Sequence, residues 1–363
     1  MTTFALKGIL KKFSLPFEPS WQNRDVDKEL RRLIQKVGGA VAGSGARHLD
    51  TDESEAAFRH LLQGAGEEIQ IAAFFVALRS KGTTADELTG AALAARSRIE
   101  FPLLPEGTVV VSTSRMGRRS GPLLSVVSVA AAVGAGVPVL LQASPHASGS
   151  GVTMGDLWKK MGGQIHASAS PAANELAQNS LACWQPTAAD EGWTRLLRIE
   201  NELGLRCAPD VVSKLLAPSG SRVIVPSRLG PVLGMASDAY ANLGHQTCLI
   251  VQGLEGSLDP SVTGMTRGML LEEEGKSPLR LQPDDLGLGE LEEPPALDSD
   301  RMLASETACR KALAGAEGPE LSCALLGAAL LIRLSGQTRD LASAVGMARE
   351  SIESGSAEKK LCF

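Results

Sequence analysis

The protein is 363 residues long with 44% hydrophobic and 21% charged side chains, a balance that excludes a disordered or fibrous chain and makes two domains the natural expectation. Thirty-six Lys and Arg against 41 Asp and Glu leave a net charge of −5, which argues against a surface that coats nucleic acid throughout while leaving room for a local basic site. Aromatic residues make up only 4%, so core volume must come from small and aliphatic side chains, an economy that suits helices packed on a parallel sheet.

The first 16 residues interleave Lys7, Lys11 and Lys12 with apolar residues and lack the uninterrupted hydrophobic core of a secretory leader, so a cytoplasmic protein is expected. Residues 1–47 carry nine Lys and Arg against four Asp and Glu, which predicts a basic arm over 1–24 followed by a helix over 26–37. Helical periodicity continues over 53–63 and 68–80. Thr84 with Glu87 then forms a capping-box signature for a fourth helix.

After Phe101 and Pro102 the pattern changes. The β-branched run TVVVS at 108–112 predicts a strand buried on both faces, followed by a Ser/Gly/Arg loop. The apolar stretch 123–142 contains Gly134, Gly136 and Pro138, which split it into a buried helix and a strand rather than a membrane span. Further strands are predicted at 137–142, 166–168, 222–226 and 247–251, with helices at 155–161, 190–203 and 231–243. Residues 281–300 hold seven acids and no base, which marks an exposed connector, and the chain closes with helices at 300–313, 321–335 and 340–353. Six scattered cysteines, Cys183, Cys207, Cys248, Cys309, Cys323 and Cys362, form no CxxC pair and read as reduced thiols.

The segment QIAAFFVALRSKGTTADELTGA at 70–91 resembles the N-terminal helices of anthranilate phosphoribosyltransferase and its relatives in glycosyltransferase family 3. The resemblance continues in order through ELGLR at 202–206, LQPDDLG at 281–287 and GPELSCALLGAA at 318–329, and covers about residues 25–360. It implies an α/β fold with a small all-helical N-terminal domain and a larger domain whose mostly parallel sheet is flanked by helices. The implied division is a helical dimerisation domain of residues 25–103 plus about 172–204, and an α/β domain of residues 104–171 plus 205–363. It also implies a homodimer through the helical domains, with no membrane contact.

Active members of that family hold phosphoribosyl diphosphate in a loop of composition GTGGDG after the first strand of the large domain, where bare backbone amides can approach phosphate. Here the corresponding residues read STSRMG at 112–117 and then RRSG at 118–121, keeping only Thr113 and Gly117. The family's NIST becomes PLLS at 122–125, and its KHGNR becomes QASPH at 142–146. The adjacent Asp and Glu that hold magnesium in relatives are represented by GLEGSLDP at 253–260, which leaves Asp259 and the upstream Glu255 as the metal candidates. The arginine that faces an anthranilate carboxylate is kept as Arg206, while the following GPLxNP becomes SKLLAP at 213–218. No catalytic residue and no cofactor are therefore assigned, with magnesium expected only if transferase activity is retained.

Replacing glycines by Arg115, Arg118 and Arg119 turns the loop positive, and guanidinium groups bind phosphate without a bridging cation. The leading expectation is a protein that has lost phosphoribosyl diphosphate chemistry and binds a phosphate-bearing ligand, nucleic acid among the candidates, through Thr113, Arg115, Gly117, Arg118, Arg119, Ser120, His146 and Arg206. The bland alternative leaves the arginines solvated, His146 as a plain loop residue and Arg206 as an interdomain anchor. Lys214 reads as an exposed helix residue that could join the site, and Trp184 and Trp193 as core residues that could stack on a base. Two further alternatives are an active glycosyl or phosphoribosyl transferase with a non-anthranilate acceptor and a regulatory dimer that recruits a protein partner.

Overall fold

A computed structural model describes residues 26–39, 45–144, 149–230, 232–295 and 300–361; the basic arm predicted over 1–24 and His146 lie outside the described residues. The chain opens with α1 (Lys28–Gly38), α2 (Thr51–Leu62), α3 (Glu68–Lys81) and α4 (Ala85–Arg96). Each start has a local cause. Asp27 accepts from the Leu30 amide, and Asp50 with Glu53 closes a capping box on α2. On α4 the anticipated box is complete: Thr84 Oγ1 accepts from the Glu87 amide at 3.2 Å, and Glu87 takes the Thr84 amide at 2.9 Å.

Alternation begins at β1 (Val109–Ser112) and runs through α5 (Ser125–Gly134), β2 (Val139–Gln142), α6 (Met154–Lys160), β3 (Ile165–His166), α7 (Ala169–Asn179) and β4 (Leu181–Trp184). The helices α8 (Glu191–Leu203) and α9 (Ala208–Ser213) follow, then β5 (Arg222–Pro226), α10 (Leu233–Asn242), β6 (Cys248–Gln252), β7 (Thr266–Glu272) and β8 (Gly275–Leu281). Four helices close the chain: α11 (Arg301–Leu313), α12 (Pro319–Ser335), α13 (Leu341–Glu353) and α14 (Ser356–Lys359).

Among the described residues the strands form one sheet in the order β3-β4-β2-β1-β5-β6-β7-β8, parallel through β6 and antiparallel at β7 and β8. The strand period of two divides the core. Val109 and Val111 face a cluster built with α5, α12 and α13, whereas Val110 faces a second cluster shared with Phe58, Phe74 and Leu78 of the helical layer. One face of the sheet is therefore covered by the helical layer itself. The five cysteines among the described residues are free and buried, and no helix there is long and apolar enough to cross a membrane.

Two expectations are corrected. The segment 172–204 is not a wholly helical return, because Leu181–Trp184 is inserted in the sheet and pairs with β2 and β3; a four-residue apolar run carries too little periodicity to separate strand from helix. The hairpin of β7 and β8 falls where no strand was predicted, its alternation masked by Glu272, Glu273 and Glu274 and by Pro278 on the edge strand.

Where α4 crosses α2, a Cβ on Gly90 would press on the Thr51 carbonyl oxygen and lie 2.7 Å from the Glu55 amide nitrogen, both backbone atoms that cannot step aside. Gly90→Ala should therefore destabilise the protein by about 2 kcal/mol, opposite to the gain of up to about 1 kcal/mol that helix propensity alone would give. Chemical denaturation checks the sign.

Candidate functional site

In an open parallel sheet, ligands collect outside the carboxyl ends of the strands where the connections diverge. Here that point is the carboxyl end of β1, which has β2 on one side and β5 on the other. The residues that follow β1 are those expected to form an anion loop.

Arg115 is 1% exposed and points inward. Its guanidinium donates to Glu200 Oε2 at 2.6 Å and to Asn201 Oδ1 at 2.8 Å, both on α8, and lies 3.9 Å from Asp210 Oδ1 on α9. Glu200 uses its other oxygen to accept the Cys207 amide at 2.5 Å at the start of α9. Burial, together with Asp210, pushes the Glu200 carboxyl up to about 7 in spite of the Arg115 and Cys207 donors. Burial would likewise raise Asp210, but Arg206, Lys214 and Arg115 outweigh it and hold that carboxyl below its ordinary value.

Arg118 is 4% exposed and donates to Asp259 Oδ2 at 3.1 Å. Asp259 also accepts from the Leu124 amide at 3.0 Å and from the Ser125 hydroxyl at the start of α5. Glu255, at a left-handed φ of 55°, accepts the Arg119 and Ser120 amides at 3.0 Å each and lies 3.5 Å from Arg118 Nε. Burial opposes the charge on Glu255, yet the Ser120 and Arg119 amides and then Arg118 hold its carboxyl below the ordinary range. The carboxylate thus occupies the two backbone amides of the loop.

Arg115 and Arg118, expected to serve as phosphate ligands, are thus buried and paired with the internal carboxylates Glu200 and Asp259. Thr113 is engaged as well, donating to the Gln142 carbonyl at 2.9 Å. Gly117, at φ 63°, packs so closely that a Cβ would meet the Val152 carbonyl oxygen at 2.5 Å, so the glycine here serves packing. Arg119 and Ser120 are exposed. Each carboxylate oxygen of Asp259 and Glu255, the metal candidates of the sequence, accepts a hydrogen bond from this chain. Among the described residues no group of three or more His, Cys, Asp and Glu could hold a metal ion.

A cavity of about 530 Å³ opens nearby, between the helical layer and β5 and β6, with Met116 of the loop after β1 on its wall. Four cationic residues line it, Arg79, Arg206, Lys214 and Arg228, and no acidic one does among the described residues. Leu88, Val211, Met235 and Tyr240 supply an apolar wall. Arg206 keeps an ion pair with Asp210 beside the cavity, and Arg79 donates to the Arg206 carbonyl at 2.5 Å. Lys214, expected on an exposed face, is 5% exposed, with its Nζ 3.2 Å from the Pro226 carbonyl.

Of the predicted site residues that are described, only Arg206 lines this cavity. Arg79, Lys214 and Arg228 complete the cationic set, and the apolar neighbours Val211, Val212, Leu215 and Leu216 were the sequence signal that Lys214 is buried. Trp184 and Trp193 are core residues, each 1% exposed.

Arg115→Met should destabilise the protein by about 3 kcal/mol, because it leaves Glu200 and Asp210 buried near each other without their shared cation. Glu200→Gln should have a pH signature. The folded carboxyl titrates near 7, above its ordinary 4.5, so the stability it contributes is present below about pH 4.5 and lost as pH rises through 7. Urea denaturation at several pH values should show the wild type losing stability relative to Glu200→Gln between about pH 5 and 8.

The comparisons agree with this architecture. Residues 31–99 match the glycosyl transferase family helical bundle domain and residues 123–358 its a/b domain. The anthranilate phosphoribosyltransferase of Sinorhizobium medicae is 27% identical over 92% of this chain and 96% of its own length, and that of Moorella thermoacetica 29% identical over the same shares. Among solved structures, anthranilate phosphoribosyltransferase from Thermus thermophilus superposes with a TM-score of 0.74 at 22% identity, covering 92% of this chain and 97% of that one. The Saccharomyces cerevisiae enzyme in complex with PRPP and Mg gives 0.74 at 18% identity, covering 92% and 95%. The chain therefore belongs to the glycosyl transferase family, carries both its helical bundle and its a/b domain, and is a homologue of the anthranilate phosphoribosyltransferases.

Proposed function

We propose that this family member has given up metal-dependent phosphoribosyl diphosphate chemistry at the β1–α5 loop and binds a small anionic ligand in the interdomain cavity. The observation that carries the proposal is the division of charge: Glu255 occupies the loop amides, while four cations and no acid line a cavity of about 530 Å³. That volume suits a ligand of nucleotide size, and the apolar wall favours a flat or aliphatic body beside the anionic group. A phosphate-bearing small molecule is thus preferred to a nucleic-acid strand. Homodimerisation through the helical domain belongs to the same proposal; Ile69 of α3, 79% exposed, is an apolar contact available for it, and light scattering measures it.

A second reading, an active transferase, draws on the relatives named above and on the yeast neighbour's complex with PRPP and Mg. The two are separated by thermal shift with inorganic phosphate, nucleoside monophosphates, an oligonucleotide and phosphoribosyl diphosphate, each with and without magnesium. Anion binding in the cavity should stabilise the protein without magnesium, by up to about 3 kcal/mol at 100-fold excess over Kd. The gain should shrink at high salt and in Arg79→Ala and Arg228→Ala. Stabilisation that requires magnesium, persists in both variants and is lost in Glu255→Ala and Asp259→Asn would establish the transferase instead. A steep salt-dependent response to the oligonucleotide alone, abolished by Arg119→Ala, would restore the loop as a nucleic-acid contact.

A further inference from the structure

Lys214 is the group in the cavity whose chemistry anion binding leaves unexplained. It follows the last residue of α9, and its backbone is fixed from two sides, its carbonyl accepting the Ser112 hydroxyl at 3.3 Å and the Tyr240 hydroxyl. Lys214 is buried yet is one of the residues that line the cavity. Among the described residues no carboxylate lies within 4.0 Å of Nζ, whose hydrogen-bond partner is the Pro226 carbonyl at 3.2 Å. One N–H is thus directed to the wall.

We propose that Lys214 captures the carbonyl carbon of a small aldehyde or ketone bearing a phosphate or carboxylate, forming an imine inside the interdomain cavity. The inference rests on the anion-binding proposal above, since Arg79, Arg206 and Arg228 would hold the anionic end while Nζ meets the carbonyl. In the step, the amine lone pair forms a C–N bond and the carbonyl π pair moves to oxygen. Loss of that oxygen as water, with the two amine hydrogens, leaves C=N, so no oxidant or reductant is needed. When the imine is protonated, its N–H can keep the bond to Pro226.

The amine must be unprotonated to react. Burial, followed by Arg206, lowers the ammonium to about 7; Asp210 opposes the shift, and Arg228 and Arg115 add to it. At neutral pH its neutral fraction exceeds that of an ordinary lysine by roughly a thousandfold.

Pyridoxal 5′-phosphate is a suitable probe because it combines an aldehyde, a phosphate and a flat ring. The full-length protein is incubated with it across pH 6–10 (about four units), reduced with borohydride, and mapped by peptide mass spectrometry. Expected are labelling of Lys214 at least about tenfold above that of exposed Lys159 and Lys276, half-maximal near pH 7, and suppression by inorganic phosphate. The label should be absent from that peptide in Lys214→Arg and Lys214→Met, and melting curves show whether each variant folds; the phosphate competition in the wild type does not depend on them. If label spreads over exposed lysines and spares Lys214 while phosphate still raises Tm, the imine is refuted and the anion cavity stands. If phosphate neither raises Tm nor competes, both are refuted.

Discussion

The buried guanidinium of Arg115 ties the loop after β1 to α8 and α9. It leaves the end of β1, reaches Glu200 and Asn201 on α8, and approaches Asp210 on α9. Glu200 in turn accepts the amide of Cys207, the residue that caps the start of α9, so one carboxylate fixes both the loop after β1 and the short helix that Lys214 follows. Such a network contributes less to net stability than to register, because desolvation of the charges offsets most of their attraction, whereas removal of one member leaves the others exposed to that cost. The position of the cavity follows from this constraint. Asp210, held ionised by its cationic neighbours, anchors Arg206 on the cavity wall, and the excess of cations over acids faces the open space.

The loop beyond β1 is stabilised by a different arrangement. Glu255 adopts a left-handed φ, a conformation costing on the order of 1–3 kcal/mol for a residue with a side chain, and its two amide hydrogen bonds offset that cost. The neighbouring pair of Arg118 with Asp259 sits at the start of α5, where the carboxylate also accepts the Leu124 amide and interacts favourably with the helix dipole. An anion is therefore already present at this helix start. Any external diphosphate would have to displace Glu255 and separate a buried ion pair before it could gain the same amides.

Much of the fold was legible in the sequence because its signals are local. The Thr84 and Glu87 capping box, the glycine and proline breaks within 123–142 and the β-branched run of β1 each specify their own element. The short strand β4 and the hairpin of β7 and β8 were not legible, since their strand character comes from neighbours in the sheet rather than from periodicity. The site was legible only in outline. Loss of the glycine-rich composition was visible, but the partners of Arg115 and Arg118 lie 85 and 141 residues away, a separation at which sequence shows charges without showing which ones meet. Arg206 was found, whereas Arg79 and Arg228 carry no local mark and become a set only when α3, α9 and the end of β5 converge.

The most direct test of where this protein meets an anion is a crystal structure determined after soaking in a selenate or phosphate salt, with anomalous or difference density locating the ion. The ion is expected in the cavity against Arg206 and Arg228, with Glu255 still bonded to the Arg119 and Ser120 amides. Density on those amides, with Glu255 displaced and the cavity empty, would contradict the account.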